Sequence, residues 1–303
     1  METRTIGSLR VSVVGLGTNT FGTRLDEKAA NSVVNACLDR GINHFDTADM
    51  YGGGKSEEFL GRALQGRREE AIIATKFGAM TGGSPEVVPK SVDESLARLA
   101  TDRIDLMYLH RPDAETAIAD TLGALDECVR SGKVREIACS NFTEQLLRES
   151  NAAAGSNGAR FVAVQNHFNL LNRGDLALLP ILDELGVAYV PYFPLASGML
   201  TGKYKRGEAP PEGSRLAGAP EERRVSILND GNFAVVEYLV VWAGDHGHSM
   251  LELAVAWLLA QVAVASVIAG ATTVDQVESN ATAAAWILTP NEVAEVTALA
   301  ESS

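Results

Sequence analysis

The sequence predicts an α/β fold: a closed (β/α)8 TIM barrel with an N-terminal β-hairpin cap at its base and long loops at its C-terminal face. Three observations carry this expectation. Short β-branched runs alternate with longer segments of helical period, the pattern of parallel strands joined by helices. Gly41, Gly132 and Gly186 each fall between a helical segment and the next apolar run, where a left-handed helix cap costs least. Finally, Asp46, Lys76, His110, Ser140 with Asn141, Gln165 and Tyr192 stand at or just beyond six successive apolar runs, at intervals of 25 to 34 residues. In an open doubly wound sheet the strand ends spread along a line, and only those near the crossover share a crevice. In a closed barrel they all face one mouth.

The elements follow in chain order. "TRTIGSLRVSVVG" reads as a hairpin that turns at Gly7 and Ser8, with Thr3, Ile6, Val11 and Val13 as strand residues. The repeats then run "EKAANSVVNACLDRG" into "INHFDTA", "SEEFLGRALQG" into "AIIATK", and "SVDESLARLA" into "IDLMYLH". They continue with "AIADTLGALDECVRSGK" into "VREIACS", "TEQLLRESNAAA" into "FVAVQ" and "DLALLPILDELG" into "VAYVPY". From Gly202 to Asp230 the alternation breaks into a Pro-, Gly- and charge-rich stretch, long enough to be a lid. "LELAVAWLLAQVAVASVIAG" contains Glu252 and Gln261 and reads as a buried helix and strand, not a membrane span. With no fixed-period repeat and no linker, residues 1–303 are expected to form one domain.

Composition narrows the function. The 303 residues are 46% hydrophobic and 21% charged, with a net charge of −13 that argues against nucleic acid and against a basic membrane-surface protein. A few local cations can still hold one anionic ligand. Cys37, Cys128 and Cys139 are scattered, without a CxxC or a histidine at metal spacing, and read as buried reduced thiols in a cytoplasmic protein without a metal site. "METRTIGSLR" lacks the apolar core of a signal peptide. His246 and His248 are expected in an exposed loop, His44 and His167 packed, "PEERR" as solvated loop, and Trp257 and Trp286 as core on helical segments. Oligomeric state is not legible.

"VSVVGLGTNTFG" followed by a helix and a strand ending in Asp46 offers a rival reading, a dinucleotide fingerprint with Gly15 and Gly17 in its phosphate loop. Thr20 stands where that fingerprint wants Gly or Ala, and the run of polar strand tips favours the barrel. If Asp46, Tyr51, Lys76 and His110 meet at the mouth, Lys76 is expected to lower the pKa of the Tyr51 phenol, and Asp46 to keep Lys76 charged. His110 as a neutral imidazole would orient a carbonyl oxygen. These four make a proton donor beside a polarised carbonyl without an electron source, so a reduction needs a bound hydride donor. Ser140, Asn141 and Gln165 suit a carboxamide, and Tyr192 offers a face for stacking. One other function stays open on these residues, a Schiff-base lyase using Lys76.

"GINHFDTADMYGGGKSEEFLG", "ATKFG", "DLMYLHRPD", "CSNF", "VQNHFNLL" and "PYFPLASGMLTGKY" together resemble the aldo-keto reductases, in particular the bacterial members that resemble potassium-channel β subunits. The resemblance spans about Thr5 to Asn280, and by analogy with its channel-associated members it adds a further alternative, a catalytically weak NADP(H)-binding regulatory subunit. It implies reduction of an aldehyde or ketone by NADPH, with Tyr51 as acid and Asp46, Lys76 and His110 beside it. It further implies cofactor contacts at Gly17, Thr18, Asp46, Ser140, Asn141, Gln165, Tyr192, Pro194, Leu195, Gly198, Lys203, Arg215, Gly270, Thr272, Gln276 and Asn280. Ser279 where glutamate is usual, Gln276 where many members have arginine, and Gly270 where some have lysine weaken the expected grip on a 2′-phosphate, leaving NADH open. Phe193 stands where serine is common. The substrate, a small-molecule carbonyl compound, is not identified by these residues.

Overall fold

The computed structural model describes residues 1–155 and 158–301. Strands β1 (Thr3–Ile6) and β2 (Leu9–Ser12) pair antiparallel about a turn at Gly7 and Ser8. The chain then enters a sheet of eight strands, all paired in parallel: β3 (Val14–Gly17), β4 (His44–Asp46), β5 (Ile72–Phe77), β6 (Ile104–Leu109), β7 (Val134–Ser140), β8 (Phe161–Gln165), β9 (Ala188–Tyr189) and β10 (Val267–Gly270). Their spatial order follows the chain, with β10 beside β3. Closure comes from Tyr189, whose N–H donates to Ala263 O at 2.7 Å and whose carbonyl accepts from Ala265 N at 2.9 Å, just ahead of β10. The sheet is therefore a barrel, as the strand-tip argument requires.

Helices α1 (Glu27–Asp39), α2 (Lys55–Ala63), α3 (Val87–Leu99), α4 (Ile118–Arg130), α5 (Glu144–Ala153) and α6 (Leu179–Leu185) connect successive strands. After β9 come α7 (Glu221–Ile227), α8 (Asp230–Asp245) and α9 (Met250–Leu259), and after β10 come α10 (Val274–Ala283) and α11 (Pro290–Glu301). Local chemistry explains the boundaries. Asp26 caps α1 by accepting from Ala29 N, and Ala30, Val33, Val34, Cys37 and Leu38 fall on its buried face. Ser249 and Glu252 form a reciprocal capping box on α9, which is apolar almost all round because it is buried. Gly41, Gly132 and Gly186 have positive φ, the left-handed caps expected of them.

The core has two layers. Helices pack outside the sheet, while Ala74, Leu106, Tyr108, Ala138, Ala163, Val190, Ala265 and Ile268 fill the barrel interior. Ile6, Leu9 and Val11 of the hairpin join that inner layer with no exposed surface, so the hairpin plugs the base. Each such side chain contributes roughly 1.5–3 kcal/mol. Arg4 fastens the plug by donating to Val264 O at 2.6 Å and Leu259 O at 2.9 Å. The hairpin closes the end of the barrel opposite the C-terminal ends of its strands.

Three expectations need correction. The segment from Gly202 to Asp230 is not wholly irregular: "PEERR" runs into α7, where Glu221 and Glu222 sit favourably at the positive helix start. Trp286 lies half-buried in the connection between α10 and α11, not on a helix, stacked on His248 at 3.9 Å. His246 is exposed, as expected, but it ends α8 with its ring stacked on Trp242 at 3.9 Å. The three cysteines are free and buried, and burial pushes the Cys37 thiol up to about 12. Among the described residues no helix is long and apolar enough to cross a membrane.

Candidate active site

Asp46 is the last residue of β4 and Lys76 stands one before the end of β5, so both point their functional groups at the C-terminal mouth. The Lys76 ammonium donates to Asp46 Oδ1 at 2.6 Å and to Thr47 O at 2.7 Å, and Gln165 Nε2 donates to Asp46 Oδ2 at 2.8 Å. Lys76 is 1% and Asp46 3% exposed. Burial alone would strip the lysine of its proton. The Asp46 charge and the Tyr51 oxygen outweigh it and hold Lys76 above its ordinary value.

Tyr51 opens a tight turn through Gly54 in which Gly52 has φ +60°. A Cβ on Gly52 would lie 2.7 Å from Phe21 O, so this turn requires glycine. The turn places the Tyr51 ring centroid 5.1 Å from Lys76 Nζ and 6.1 Å, edge to face, from the His110 ring. The expected lowering of the phenol pKa does not occur. Burial raises it, and although Lys76 pulls it down, the net direction is up. The physical reason is first the burial of the phenol, which the Lys76 ammonium does not offset, and then Asp46, which holds that ammonium and itself opposes the phenolate. Tyr51 is thereby held protonated.

His110 follows β6 directly. Burial, followed by the Lys76 charge, pushes its pKa down to about 4, so it is the neutral imidazole expected. Its Nδ1 has no hydrogen-bond partner. Behind these groups Thr18, Ser56 and Thr47 form a buried hydroxyl chain with O–O distances of 2.8 Å, and the Thr18 hydroxyl donates to Asp46 O at 3.0 Å. Thr18 is fully buried with its N–H also bonded to Asp46 O, so it shapes the first turn from behind.

One wall of the mouth consists of Ser140, Asn141, Gln165 and Tyr192. Ser140 Oγ donates to Gln165 O at 2.7 Å. Asn141, left-handed at φ +63°, donates from Nδ2 to His110 O at 3.0 Å and accepts at Oδ1 from the Tyr192 hydroxyl at 2.9 Å. The Tyr192 ring stacks on His167 at 5.3 Å, which is packed as expected and leaves Tyr192 half-exposed. Opposite, Gly17 and Gly270 pair in register, and a Cβ on either would meet only one carbonyl, at 3.9 Å. They form a floor without side chains.

The loop after β9 completes the rim. Phe193, Ala196 and Ser197 all have positive φ, a concentration of strain around Pro194 and Leu195. At Gly198 an added Cβ would lie 2.6 Å from Lys203 Cε, so Lys203 crosses its bare α-carbon. The Arg215 and Arg223 guanidinium carbons lie 5.2 and 5.7 Å from the Phe193 ring centre. Arg24 reaches the same loop by donating to Gly213 O at 2.5 Å. Among the described residues none of these four cations has an ion-pair partner. Burial and then their mutual repulsion push Lys203 and Arg215 below their ordinary values. Uncompensated positive charge beside an open glycine floor fits a phosphate-bearing cofactor.

The remaining expected contacts are arranged as a helix cap: Gln276 Oε1 accepts from Thr272 N at 2.7 Å and from its hydroxyl at 3.1 Å, and Asn280 is buried on α10. Sequence reasoning did not single out Thr47, Arg24, Arg111 or Arg223. Arg111 was in plain view after His110, whereas Arg24 and Arg223 join the site only through folding. No group of three or more His, Cys, Asp or Glu among the described residues is placed to hold a metal.

A family model described as "Aldo/keto reductase family" matches residues 13–301. The chain is 33% identical to a probable voltage-gated potassium channel subunit beta from Oryza sativa subsp. japonica, covering 100% of this chain and 97% of that protein. It is also 33% identical to an aldo-keto reductase from Schizosaccharomyces pombe whose name specifies NADP(+), covering 86% and 80%. The structure superimposes on the holo form of an aldo-keto reductase from Bacillus halodurans with a TM-score of 0.82, at 31% identity over 100% of this chain and 97% of the other.

Proposed function

Because the chain belongs to the aldo/keto reductase family, we propose that it is a cytoplasmic NADPH-dependent oxidoreductase that reduces an aldehyde or ketone to the alcohol, with Tyr51 as general acid. The observation that carries this reading is the buried Lys76 ammonium, anchored by Asp46 beneath the Tyr51 ring. When bound, a reduced nicotinamide supplies the hydride. Ser140, Asn141, Gln165 and Tyr192 would hold its carboxamide and ring. The Gly17–Gly270 floor, Gly198, Lys203 and Arg215 would take its phosphates, and Thr272, Gln276 and Asn280 its adenosine end. The name of the Schizosaccharomyces pombe relative and the unpaired cations support NADPH over NADH.

The chain's own residues handle the proton. As the carbonyl oxygen gains negative charge it takes the Tyr51 phenolic proton, and the phenolate left behind faces Lys76 until solvent restores the proton. The raised pKa of Tyr51 keeps that proton in place before reaction. His110, neutral at pH 7, orients the carbonyl through a hydrogen bond. A lyase using Lys76 is disfavoured, because a Schiff-base nucleophile must be a free amine and Asp46 holds this one charged.

The test compares wild type with Tyr51→Phe, titrating NADPH by intrinsic fluorescence and following its oxidation by 4-nitrobenzaldehyde. Both proteins should bind NADPH, and turnover should fall about 10²–10⁴-fold in the variant. A wild type that binds neither NADPH nor NADH would refute the reading. Binding without turnover of any carbonyl would instead mark a regulatory subunit.

A further inference from the structure

The wall that carries Tyr192 is backed by a second ring. His167 stands two residues beyond β8 and Tyr192 three beyond β9, and the pairing of those strands continues through them, with Tyr192 N donating to Asn166 O at 2.9 Å. The two rings lie 8° from parallel with their centroids 5.3 Å apart, an offset stack. Phe193 meets both edge to face, at 5.8 and 5.4 Å. On its far side the Tyr192 hydroxyl donates to Asn141 Oδ1 at 2.9 Å, and Asn141 Nδ2 in turn donates to His110 O at 3.0 Å. His167 is thus one stack and two hydrogen bonds away from the residue proposed to orient the carbonyl.

A pair of asparagines fixes the His167 ring. Asn169 Nδ2 lies 3.3 Å from Nε2, and the Asn172 amide lies 2.8 Å from Nδ1. The Asn169 amide is not free to turn: its nitrogen also donates to Phe193 O at 2.9 Å, and its oxygen accepts from Leu171 N at 2.8 Å and Asn172 N at 3.0 Å. Reversing it would give up three hydrogen bonds. Nε2 must therefore accept and Nδ1 must carry the hydrogen, so Asn172 turns its amide oxygen to Nδ1. A second proton on Nε2 would face the Asn169 N–H. The ring is held neutral, and burial agrees by keeping its pKa below the ordinary value against the pull of Asp175. Two hydrogen bonds at separate positions of the ring, together with the stack, fix its plane.

Resting on the reductase reading, in which the nicotinamide lies on Tyr192, we infer that His167 is a positioning residue: the tethered imidazole fixes the plane of Tyr192 and with it the place from which the nicotinamide faces the carbonyl. It acts through Tyr192, not on the reacting atoms. Hydride transfer depends steeply on the separation and alignment of the two carbons, so a supporting ring that rocks slows the chemical step. Asn169 ties the same arrangement to the rim, because the carbonyl it holds belongs to Phe193, whose φ is +51°.

The experiment compares wild type with His167→Phe and His167→Leu. Both variants lose the two amide bonds and only phenylalanine keeps a flat face for Tyr192, so the difference between them isolates the stack. NADPH affinity is titrated by fluorescence, and kcat with 4-nitrobenzaldehyde is measured with NADPH and with NADPH deuterated at the transferred hydrogen. Urea unfolding reports stability separately. Expected for His167→Leu is a kcat lower by about threefold to tenfold, weaker NADPH binding and an isotope effect at least as large as in wild type. His167→Phe should recover most of both losses. Wild type alone supplies a second check, since nitrogen NMR at pH 7 should show His167 with its hydrogen on Nδ1, the signals being assigned by their loss in His167→Phe. Hydrogen on Nε2 would overturn the inference. So would leucine and phenylalanine variants alike in kcat and NADPH affinity, whatever they cost in urea, or a rate loss whose isotope effect falls towards one. Each of these leaves the reductase reading standing. A wild type that oxidises NADPH with no aldehyde overturns both.

Discussion

His44, which precedes Asp46 by two residues on β4, should make the protein acid-labile by an amount the structure allows to be worked out. The side chain is fully buried, with Nδ1 2.9 Å from Ser266 Oγ. Ser266 spends its own hydrogen on Ser12 O at 2.8 Å, so Nδ1 must be the protonated nitrogen, and Nε2 has no partner at all. Charging the ring would put a proton on Nε2 with nothing to accept it. Burial pushes its pKa from 6.5 down to about 4, with Asp46 opposing and Lys76 assisting. A folded value below the unfolded one means that the unfolded chain binds more protons between the two. The contribution is thus complete above pH 6.5 and lost as pH falls towards 4. A gap of about 2.5 units corresponds to roughly 3.4 kcal/mol, of which about 2.6 kcal/mol is gone by pH 4.5. Urea unfolding of wild type and His44→Asn, each at pH 7.0 and pH 4.5, isolates this from the carboxylates that titrate in both. The wild type should lose about 2–3 kcal/mol more than the variant over that range. Losses that agree within about 0.5 kcal/mol, below which distant substitutions are ordinarily indistinguishable, would refute the reasoning.

Two further perturbations probe the site. Asp46→Asn removes the anion 2.6 Å from Lys76 and leaves a buried charge alone, so urea unfolding at pH 7 should show a loss of about 3–5 kcal/mol and NADPH oxidation should collapse. A cost below about 1 kcal/mol would mean that Lys76 already exchanges with solvent. Gly198→Ala combines a φ of +94° with a Cβ 2.6 Å from Lys203 Cε, and should weaken NADPH binding about tenfold or more by fluorescence titration while Asp46, Tyr51, Lys76 and His110 keep their geometry. An unchanged Kd would remove the Gly198–Lys203 crossing from the cofactor site.

The barrel was legible because its decisive signal is one-dimensional. Strands of similar spacing each end in a polar residue, and only closure gives every one of those tips a common purpose. The hairpin turn at Gly7 and the caps at Gly41, Gly132 and Gly186 were legible for the same reason, since left-handed φ is a local demand that glycine meets locally. Trp286 was misplaced because its neighbourhood "ATAAAW" is rich in helix formers, yet α10 ends at Ala283 and stacking on His248 and Trp242 fixes the ring. α7 was missed because seven residues between two loops give periodicity too little length to register.

The site divides along a similar line. Asp46, Tyr51, Lys76 and His110 could be nominated from their places at strand ends, but the direction of the Tyr51 shift could not. It depends first on how deeply the phenol is buried and then on the balance of Lys76 and Asp46 around it, all of which only folding sets. Charge balance shows the same limit. In the sequence Arg24, Arg111, Arg215 and Arg223 are four cations among many, on a chain whose acids outnumber its bases. Only folding reveals that Arg68, Arg103 and Arg135 converge on the buried Asp105 and that Arg98 takes the buried Glu57, while Arg24, Arg215 and Arg223 have no carboxylate partner among the described residues. An acidic protein that withholds its acids from one rim concentrates its positive potential there, and that rim is where the phosphates of NADPH would be held.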